Sequence, residues 1–251
     1  PAQLRWAADL APPRVSPAAE ALVLGMGGSA FAGSVAALVA EQAGRRVAVG
    51  GNLGEPVLDL LDDAVELYVV EVSSFQLETT PHLGALAAVC LNVSPDHLDR
   101  YPDLDAYIAA KARIYAGAQV AVANRDDPRV CAMPHQASRA LGFTLGAPAA
   151  GDYGLRDRHG ETWLCQGGEP LMPAAAVRIP GRHNLANALA ALALAEACGL
   201  ELGPCLDALG RFTGLPHRSE LVAERRGVAW YDDSKGTNPG ATVAALEGLV
   251  P

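Results

Sequence analysis

Polar side chains with the chemistry to bind a metal stand near the ends of two short apolar runs. Glu71 lies near the end of the run 67–72, and His97 follows the run 87–93. Open sheets of parallel strands bind ligands at the edge where the strands end, so both side chains are candidates for one site. A carboxylate there suits a hard cation such as Mg²⁺. A solvated carboxylate and a structural histidine are the ordinary alternatives.

Lys111 is a third candidate, on a helix predicted over 103–116. A buried lysine can lose its proton, and the neutral amine reacts with carbon dioxide to give a carbamate, an oxygen ligand for metals. Solvation at the surface is the ordinary alternative. The hypothesis therefore requires that Glu71, His97 and Lys111 converge in the folded chain.

A glycine-rich turn, LGMGGSAFAG over 24–33, follows a predicted strand and opens a predicted helix. Backbone N–H groups in such a turn, aided by the helix N-terminus, attract phosphate. The glycines could equally serve only tight packing. The candidate phosphate-binding residues are Gly25, Gly27, Gly28 and Ser29.

Four further polar residues could contact a nucleotide. Asn184 and Asn187 share a helix face because they are three apart, and their amides fit the edge of adenine. They could equally cap the start of the helix. Arg218 and Lys235 could hold phosphate or carboxylate oxygens, the arginine as a planar fork and the lysine as a point charge. Each could instead be an ordinary surface cation.

The elements that must position these residues alternate between short apolar runs and helical patterns, which is typical of a parallel sheet covered by helices. We predict an α/β fold: a mostly parallel sheet flanked by helices, with a small antiparallel β subregion, in one domain over 1–251. The predicted strands are 21–24, 46–49, 67–72, 87–93, 119–123, 153–156, 162–165, 219–224 and 228–231. The predicted helices are 30–43, 56–62, 76–83, 103–116, 183–198, 204–211 and one after 238.

Composition excludes several classes of protein. Half of the 251 residues are hydrophobic and 19% are charged, which predicts a sizeable core. The net charge of -9 argues against a nucleic-acid partner, which would need a basic face. The five cysteines form no Cys-x-x-Cys pair, so no zinc site or disulfide framework is indicated. The sequence shows neither a signal peptide nor an apolar run of membrane-spanning length, so we expect a cytoplasmic protein without a membrane partner.

Several strings, taken in chain order from about 45 to 248, resemble the Mur ligase family. The resemblance implies a P-loop-like central ATP-binding domain without the family's UDP-binding amino-terminal domain and its carboxy-terminal domain. It is closest to the members that add D-glutamate in peptidoglycan precursor synthesis. The strings are GGN (50–52), EVSSFQLETT (71–80), LNVSPDHLDRY (91–101), KARIY (111–115), GRHNLANALAALALA (181–195), FTGLPHR (212–218) and DDSKGTN (232–238).

By this resemblance Glu71 binds Mg²⁺ beside the γ-phosphate of ATP, and His97 with a carbamylated Lys111 holds a second Mg²⁺. The family activates the carboxylate of UDP-N-acetylmuramoyl-L-alanine as an acyl phosphate, which the amine of D-glutamate attacks. These small molecules and ATP are the expected partners of a monomer, and cations offset the charge of the transferred phosphoryl group. The residues implied in catalysis are Lys111, His97 and Lys235. Those implied around the nucleotide and the acyl group are Asn52, Asn184, Asn187, Arg218 and Asp233.

The glycine-rich turn departs from the family pattern. Counting back from Asn52, the lysine of the family's phosphate loop falls on Ser29 and its metal-binding hydroxyl on Ala30. Losing that lysine costs on the order of several kcal/mol of transition-state stabilisation, so we predict weak or absent turnover. Residues 1–44 resemble the start of sugar-isomerase (SIS) domains, which suggests a join near 33–45. A sugar-phosphate isomerase and a noncatalytic nucleotide-binding remnant are therefore the alternatives.

Overall fold

A computed structural model describes residues 19–25, 29–52, 54–81, 83–179, 181–236 and 239–249 of the chain. The strands are β1 (Glu20–Gly25), β2 (Val47–Gly51), β3 (Leu67–Val72), β4 (Ala87–Cys90), β5 (Val120–Asn124), β6 (Arg139–Phe143), β7 (Tyr153–Arg158), β8 (Glu161–Gln166), β9 (Glu169–Pro173), β10 (Glu220–Arg225) and β11 (Val228–Asp232). The helices are α1 (Ser29–Gln42), α2 (Ser74–Thr79), α3 (Leu104–Ala112), α4 (Pro128–Cys131), α5 (Arg182–Ala197), α6 (Leu202–Arg211) and α7 (Pro239–Leu249). Short 3-10 turns span Val57–Leu60, Arg113–Tyr115 and Ala174–Ala176.

Nine strands form one sheet in the order β2-β3-β1-β4-β5-β6-β7-β8-β9. The pairs from β2 through β7 are parallel, whereas β7, β8 and β9 are joined by antiparallel pairs. A separate antiparallel pair is formed by β10 and β11. The structure thus confirms the predicted α/β fold with a mostly parallel sheet and antiparallel additions.

Both faces of the parallel sheet are buried, and β3 shows this most clearly. All six of its residues are buried, as expected of a parallel strand covered on both sides. Leu67 and Val69 join a core with α1 and α5, whereas Tyr68 and Val70 join a second core with α3. Glu71 is therefore a carboxylate inside an otherwise apolar strand.

The helix α5 is the centre of the first core. Residues 188–195 are all buried, as expected of a helix that is apolar all round. It packs on α1, α6 and α7 and also contacts β4, β5, β6 and β7. None of the helices among the described residues is long and apolar enough to cross a membrane.

Several predicted boundaries were wrong. The helix predicted over 56–62 is only the 3-10 turn Val57–Leu60, with Pro56 at its start. The helix predicted over 76–83 is α2, which starts at Ser74 and ends at Thr79. The strand predicted over 87–93 ends at Cys90, so the segment that leads to His97 leaves the sheet earlier than expected.

Two strands and one short helix were not predicted: β6, β9 and α4. The interior of β6 holds Gly142, a residue type that is depleted in strands. The structure explains this glycine, because a Cβ there would overlap the carboxylate of Asp152.

Candidate functional site

The carboxyl ends of β2 and β3 approach closely at Glu71. Gly51 pairs with Glu71 in the parallel register, and the N–H of Asn52 donates to the Glu71 carbonyl oxygen at 2.8 Å. A Cβ on Gly51 would overlap that oxygen, and the φ of Gly51 is +115°, so the position requires glycine. The exposed Asn52 is thereby held beside the metal-ligand candidate.

The glycine-rich turn begins beside the same residue. In the register between β1 and β3, Leu24 pairs with Glu71 and Gly25 with Val72. Gly25 is the last residue of β1, and Ser29 is the first of α1. The predicted phosphate-binding residues Gly27 and Gly28 lie outside the described residues. The two described ends of the turn thus lie at the carboxyl ends of the parallel strands, where open sheets bind ligands.

Lys111 is buried, with only 4% of its surface exposed. Its Nζ lies 5.3 Å from the centroid of the Tyr107 ring. Burial lowers the pKa of Lys111, because desolvation disfavours the ammonium form, whereas the charges of Cys90, Asp96 and Glu71 oppose this shift. The amine therefore lies within electrostatic reach of Glu71 and of the residue that precedes His97.

His97 lies in the loop after β4, and its side chain is near the same Tyr107 ring as Lys111. Its backbone is left-handed, with φ 53°, and its N–H donates to Asp96 Oδ1 at 2.9 Å. The imidazole centroid lies 4.9 Å from that of Phe75 and 6.1 Å from that of Tyr107. His97 and Lys111 thus lie beside the same tyrosine ring, and the charge of Glu71 acts on Lys111.

An aromatic layer lies beside this group of candidates. Tyr101 lies 5.2 Å from Tyr107 and 6.1 Å from Phe75, measured between ring centroids, and the Arg100 guanidinium lies 4.6 Å from the Phe75 centroid. Desolvation and the Asp96 charge raise the pKa of Tyr107 to about 12, so this hydroxyl stays protonated at neutral pH. Tyr101 and Tyr107 are buried, whereas Phe75 is exposed, so these rings cover the group only in part.

The donor set fits a hard divalent cation on one condition. Glu71 supplies a carboxylate that is 8% exposed, and His97 supplies an imidazole. An ammonium at Lys111 would repel a cation, whereas a carbamate at the same position would supply oxygen ligands. The low-polarity surroundings that lower the pKa of Lys111 favour the neutral amine from which a carbamate forms.

The two asparagines form a second group on α5. Asn184 and Asn187 are 4% and 8% exposed, and Asn187 Nδ2 lies 3.4 Å from Asn184 Oδ1. The helix starts at Arg182, and its N-cap is Gly181, with φ 106° and no side-chain cap hydrogen bond. The alternative that these asparagines cap the helix is therefore wrong, because both lie inside it and face the interior.

A third group lies at the ends of β10 and β11. Asp233 Oδ1 accepts from the N–H of Ser219 at 2.8 Å, and the N–H of Lys235 donates to the His217 carbonyl at 3.2 Å. These bonds hold the segment that carries Arg218 against the exposed Lys235. Hydrogen bonds and ring contacts thus link residues within each of the three groups.

Three residues that support the first group were missed from the sequence: Asn124, Asp127 and Arg129. They lie just after β5 and bind the backbone of the loop before His97, at Leu91 and Val93. Asp127 precedes Pro128, and an aspartate before a helix-starting proline is a typical N-cap pattern. That sequence pattern predicts that Asp127 caps the helix, but it does not predict that Asp127 also binds Val93.

A cavity of about 560 Å³ among the described residues lies apart from Glu71, His97, Lys111, Arg218 and Lys235. It is bounded by the β7–β8 hairpin and the start of α5, and it is lined largely by apolar residues such as Leu155, Val177 and Ile179. Arg182 and Leu185 also line it, so it lies next to the helical turn of Asn184. Glu71, His97 and Lys111 do not line this cavity.

The sequence is similar to known proteins over most of its length. The family model described as the Mur ligase middle domain matches residues 38–195. The UDP-N-acetylmuramoylalanine–D-glutamate ligase of Nitrosococcus oceani is 57% identical over 234 residues, which is 92% of this chain and 52% of the relative. The enzyme of the same name from Hahella chejuensis is 55% identical over 236 residues, 93% of this chain and 53% of the relative. The chain thus spans about half the length of the curated relatives it matches.

Solved structures show the same fold. A UDP-N-acetylmuramoyl-L-alanyl-D-glutamate–2,6-diaminopimelate ligase aligns with a TM-score of 0.69 at 26% identity, covering 89% of this chain and 51% of that one. MurF from Acinetobacter baumannii aligns with a TM-score of 0.73 at 21% identity, covering 93% and 55%. The sequence matches are also longer than the stretch from residue 45 onward, so the similarity begins within the first 44 residues.

Proposed function

The chain belongs to the Mur ligase family, and on that premise we propose that it is the ATP-binding part of an enzyme of peptidoglycan precursor synthesis. The enzyme would join D-glutamate to UDP-N-acetylmuramoyl-L-alanine, which is the activity that the names of its relatives describe. The observation that carries this proposal is the group formed by Glu71, His97 and Lys111. We place the protein in the cytoplasm, as a monomer.

Lys111 is proposed to act as a carbamate. Because burial lowers its pKa, more of the amine is neutral and its nitrogen lone pair can attack carbon dioxide. A nitrogen–carbon bond forms and the nitrogen gives a proton to solvent. The product carries a negative charge where the ammonium carried a positive one. Glu71 would then hold one Mg²⁺ beside the γ-phosphate, and His97 with this carbamate would hold a second; both ions when bound offset the negative charge of the phosphates.

The other two groups are proposed to bind ATP. The buried amides of Asn184 and Asn187 would recognise adenine, since an amide pairs a donor with an acceptor. Arg218 and Lys235 would contact phosphate oxygens, and Asp233 would hold their two segments together through Ser219. Asn52, exposed beside Glu71, would orient the acyl substrate.

The reaction we propose has two steps. A carboxylate oxygen of UDP-N-acetylmuramoyl-L-alanine attacks the γ-phosphorus, ADP leaves, and an acyl phosphate remains. The neutral amine of D-glutamate then attacks the acyl carbon, phosphate leaves with the electron pair of the broken bond, and the nitrogen loses a proton. The residues described above bind and orient the reactants, which is the main protein contribution in phosphoryl transfer.

The glycine-rich turn limits the expected rate. With serine at position 29 and alanine at position 30, the loop lacks the lysine and the hydroxyl that the family pattern has there. We propose that ATP binds but that turnover is slow, by on the order of 10²-fold or more for a lost phosphate-binding cation. A chain carrying Ser29→Lys and Ala30→Ser should ligate faster when the substrates and the remaining domains are supplied. Equal rates would refute this loop argument.

ATP affinity, measured by calorimetry with and without Mg²⁺, tests the function itself. We expect Mg²⁺-dependent binding of ATP that a hexose phosphate does not displace. Displacement by the hexose phosphate would favour the sugar-isomerase alternative. Binding of ATP without ligation in the repaired chain would favour a noncatalytic remnant.

A further inference from the structure

The loop between β4 and His97 is held by side chains from another strand end. After Cys90 the chain leaves the sheet, yet the carbonyl of Leu91 accepts from Asn124 Nδ2 at 2.8 Å. The N–H of Val93 donates to Asp127 Oδ2 at 2.8 Å. The backbone of this loop is thus fixed by side chains at and after the end of β5, beyond the last backbone pairing between β4 and β5.

Both oxygens of Asp127 are used. Oδ1 accepts from the N–H of Arg129 at 2.9 Å and from that of Val130 at 3.4 Å, which caps the short helix α4. Oδ2 binds Val93. The Arg129 guanidinium in turn donates to the Val93 carbonyl at 3.4 Å. A single carboxylate therefore couples the start of α4 to the loop that carries His97.

Asp126 has the same chemistry and a different target. Its Oδ1 accepts from the Thr144 hydroxyl at 2.5 Å, and its Oδ2 accepts from the N–H of Leu145 at 2.6 Å. It therefore fixes the segment after β6. Adjacent aspartates thus anchor two different loops, which gives a matched pair for experiment.

We propose that Asp127 and Asn124 are positioning residues for His97, which set where its imidazole stands relative to Glu71 and Lys111. The inference rests on the proposed function, in which His97 is a metal ligand. His97 follows Val93 by four residues and adopts a left-handed backbone, so a released loop has an easier conformation to relax into. Groups that orient a metal ligand typically affect metal affinity by about 10- to 100-fold.

Isosteric variants separate positioning from general stability. In Asp127→Asn, the amide oxygen can still cap α4, but its NH₂ cannot accept from Val93. In Asn124→Asp, the carboxylate still accepts from the N–H of Asp126, a bond of 2.9 Å, but cannot donate to Leu91. The control is Asp126→Asn, whose amide can serve both Thr144 and Leu145 and which leaves the His97 loop untouched. Thermal unfolding would establish that all three variants are folded.

Two measurements on the 251-residue chain test the inference. The first is hydrogen exchange of peptides over 91–101, which should accelerate in Asp127→Asn and Asn124→Asp but not in Asp126→Asn. The second is Mn²⁺ binding with bicarbonate present, followed by electron paramagnetic resonance. We expect about a 10-fold weaker Mn²⁺ affinity in the first two variants and no change in the control.

The outcomes are distinguishable. If the wild-type chain binds Mn²⁺ and all variants bind it equally, positioning by Asp127 and Asn124 is wrong while the proposed function stands. Faster exchange over 91–101 with unchanged Mn²⁺ affinity has the same meaning. If the wild-type chain binds no Mn²⁺, the proposed metal site fails, and the inference fails with it. Should Asp127→Asn unfold, Asn124→Asp decides the question alone.

Discussion

The parallel sheet and the β10–β11 pair hold candidate site residues in opposite ways. Around Glu71 and Lys111 both faces of the sheet are covered, and both charged groups are almost fully buried. On β10 and β11 the strand residues are largely exposed, including Trp230 at 57%. Asp233 and Lys235 are placed there by local hydrogen bonds between turns.

The difference bears on chemistry. Burial changes the protonation of Lys111, whose pKa falls because water is removed from the ammonium. In the exposed pair, the pKa of Asp232 is lowered mainly by direct hydrogen bonds from His217 and Ser234. A site that needs an altered amine therefore depends on packing, whereas one that needs a positive charge near a phosphate depends only on placement.

Two glycines give the largest expected contrast between the regions. Gly51→Ala would force a Cβ into the Glu71 carbonyl oxygen at a positive φ, and we expect a loss of about 3 to 5 kcal/mol in the free energy of unfolding. Gly227→Ala, in the turn between β10 and β11, meets nothing within 4 Å at φ +75°. It should cost only about 1 kcal/mol, the backbone strain alone. Urea denaturation measures both, and similar losses would contradict the contrast.

Two lysines give the next contrast. Lys111→Met keeps the apolar stem but removes a charge that faces the buried Glu71 carboxylate, so we expect a loss of up to about 3 kcal/mol in the free energy of unfolding. Mn²⁺ affinity should also fall more than about 10-fold, because a ligand is lost. Lys235→Met, at an exposed position, should change stability by less than about 0.5 kcal/mol. It should weaken ATP binding and leave Mn²⁺ affinity unchanged. Equal metal affinity in Lys111→Met and the wild type would remove Lys111 from the site.

The comparison also explains what the sequence could predict. Strand β3 and the Ala/Leu helix α5 were predictable, because an element that is buried on all sides is apolar at nearly every position. Such a run can be recognised without knowing what it packs against. Glu71 could be recognised as a candidate site residue, since a carboxylate inside such an apolar run is unusual. The class of fold followed from the alternation of these two patterns.

The supports of the site were not predictable in the same way. Gly142 reads as a strand breaker until Asp152 is seen next to it, and Asp127 reads as a helix cap until its second oxygen is seen to bind Val93. Both depend on residues far along the chain whose positions only the fold determines. The burial of Lys111 was not predictable either, since the sequence of its helix is compatible with a buried or an exposed lysine.

The smallest expected effect is a titration in the exposed pair. Hydrogen bonds from His217 and Ser234 lower the pKa of Asp232 from 3.8 to about 2. A carboxylate with a lowered pKa stabilises the folded chain above its unfolded pKa, and this contribution disappears as the pH falls from about 4 toward about 2. In His217→Ala the pKa of Asp232 should return toward 3.8, which carboxyl-carbon NMR would measure, and the stability at pH 4–7 should fall slightly. If the pKa of Asp232 were unchanged in that variant, the His217 contact would not be the cause of its lowered value.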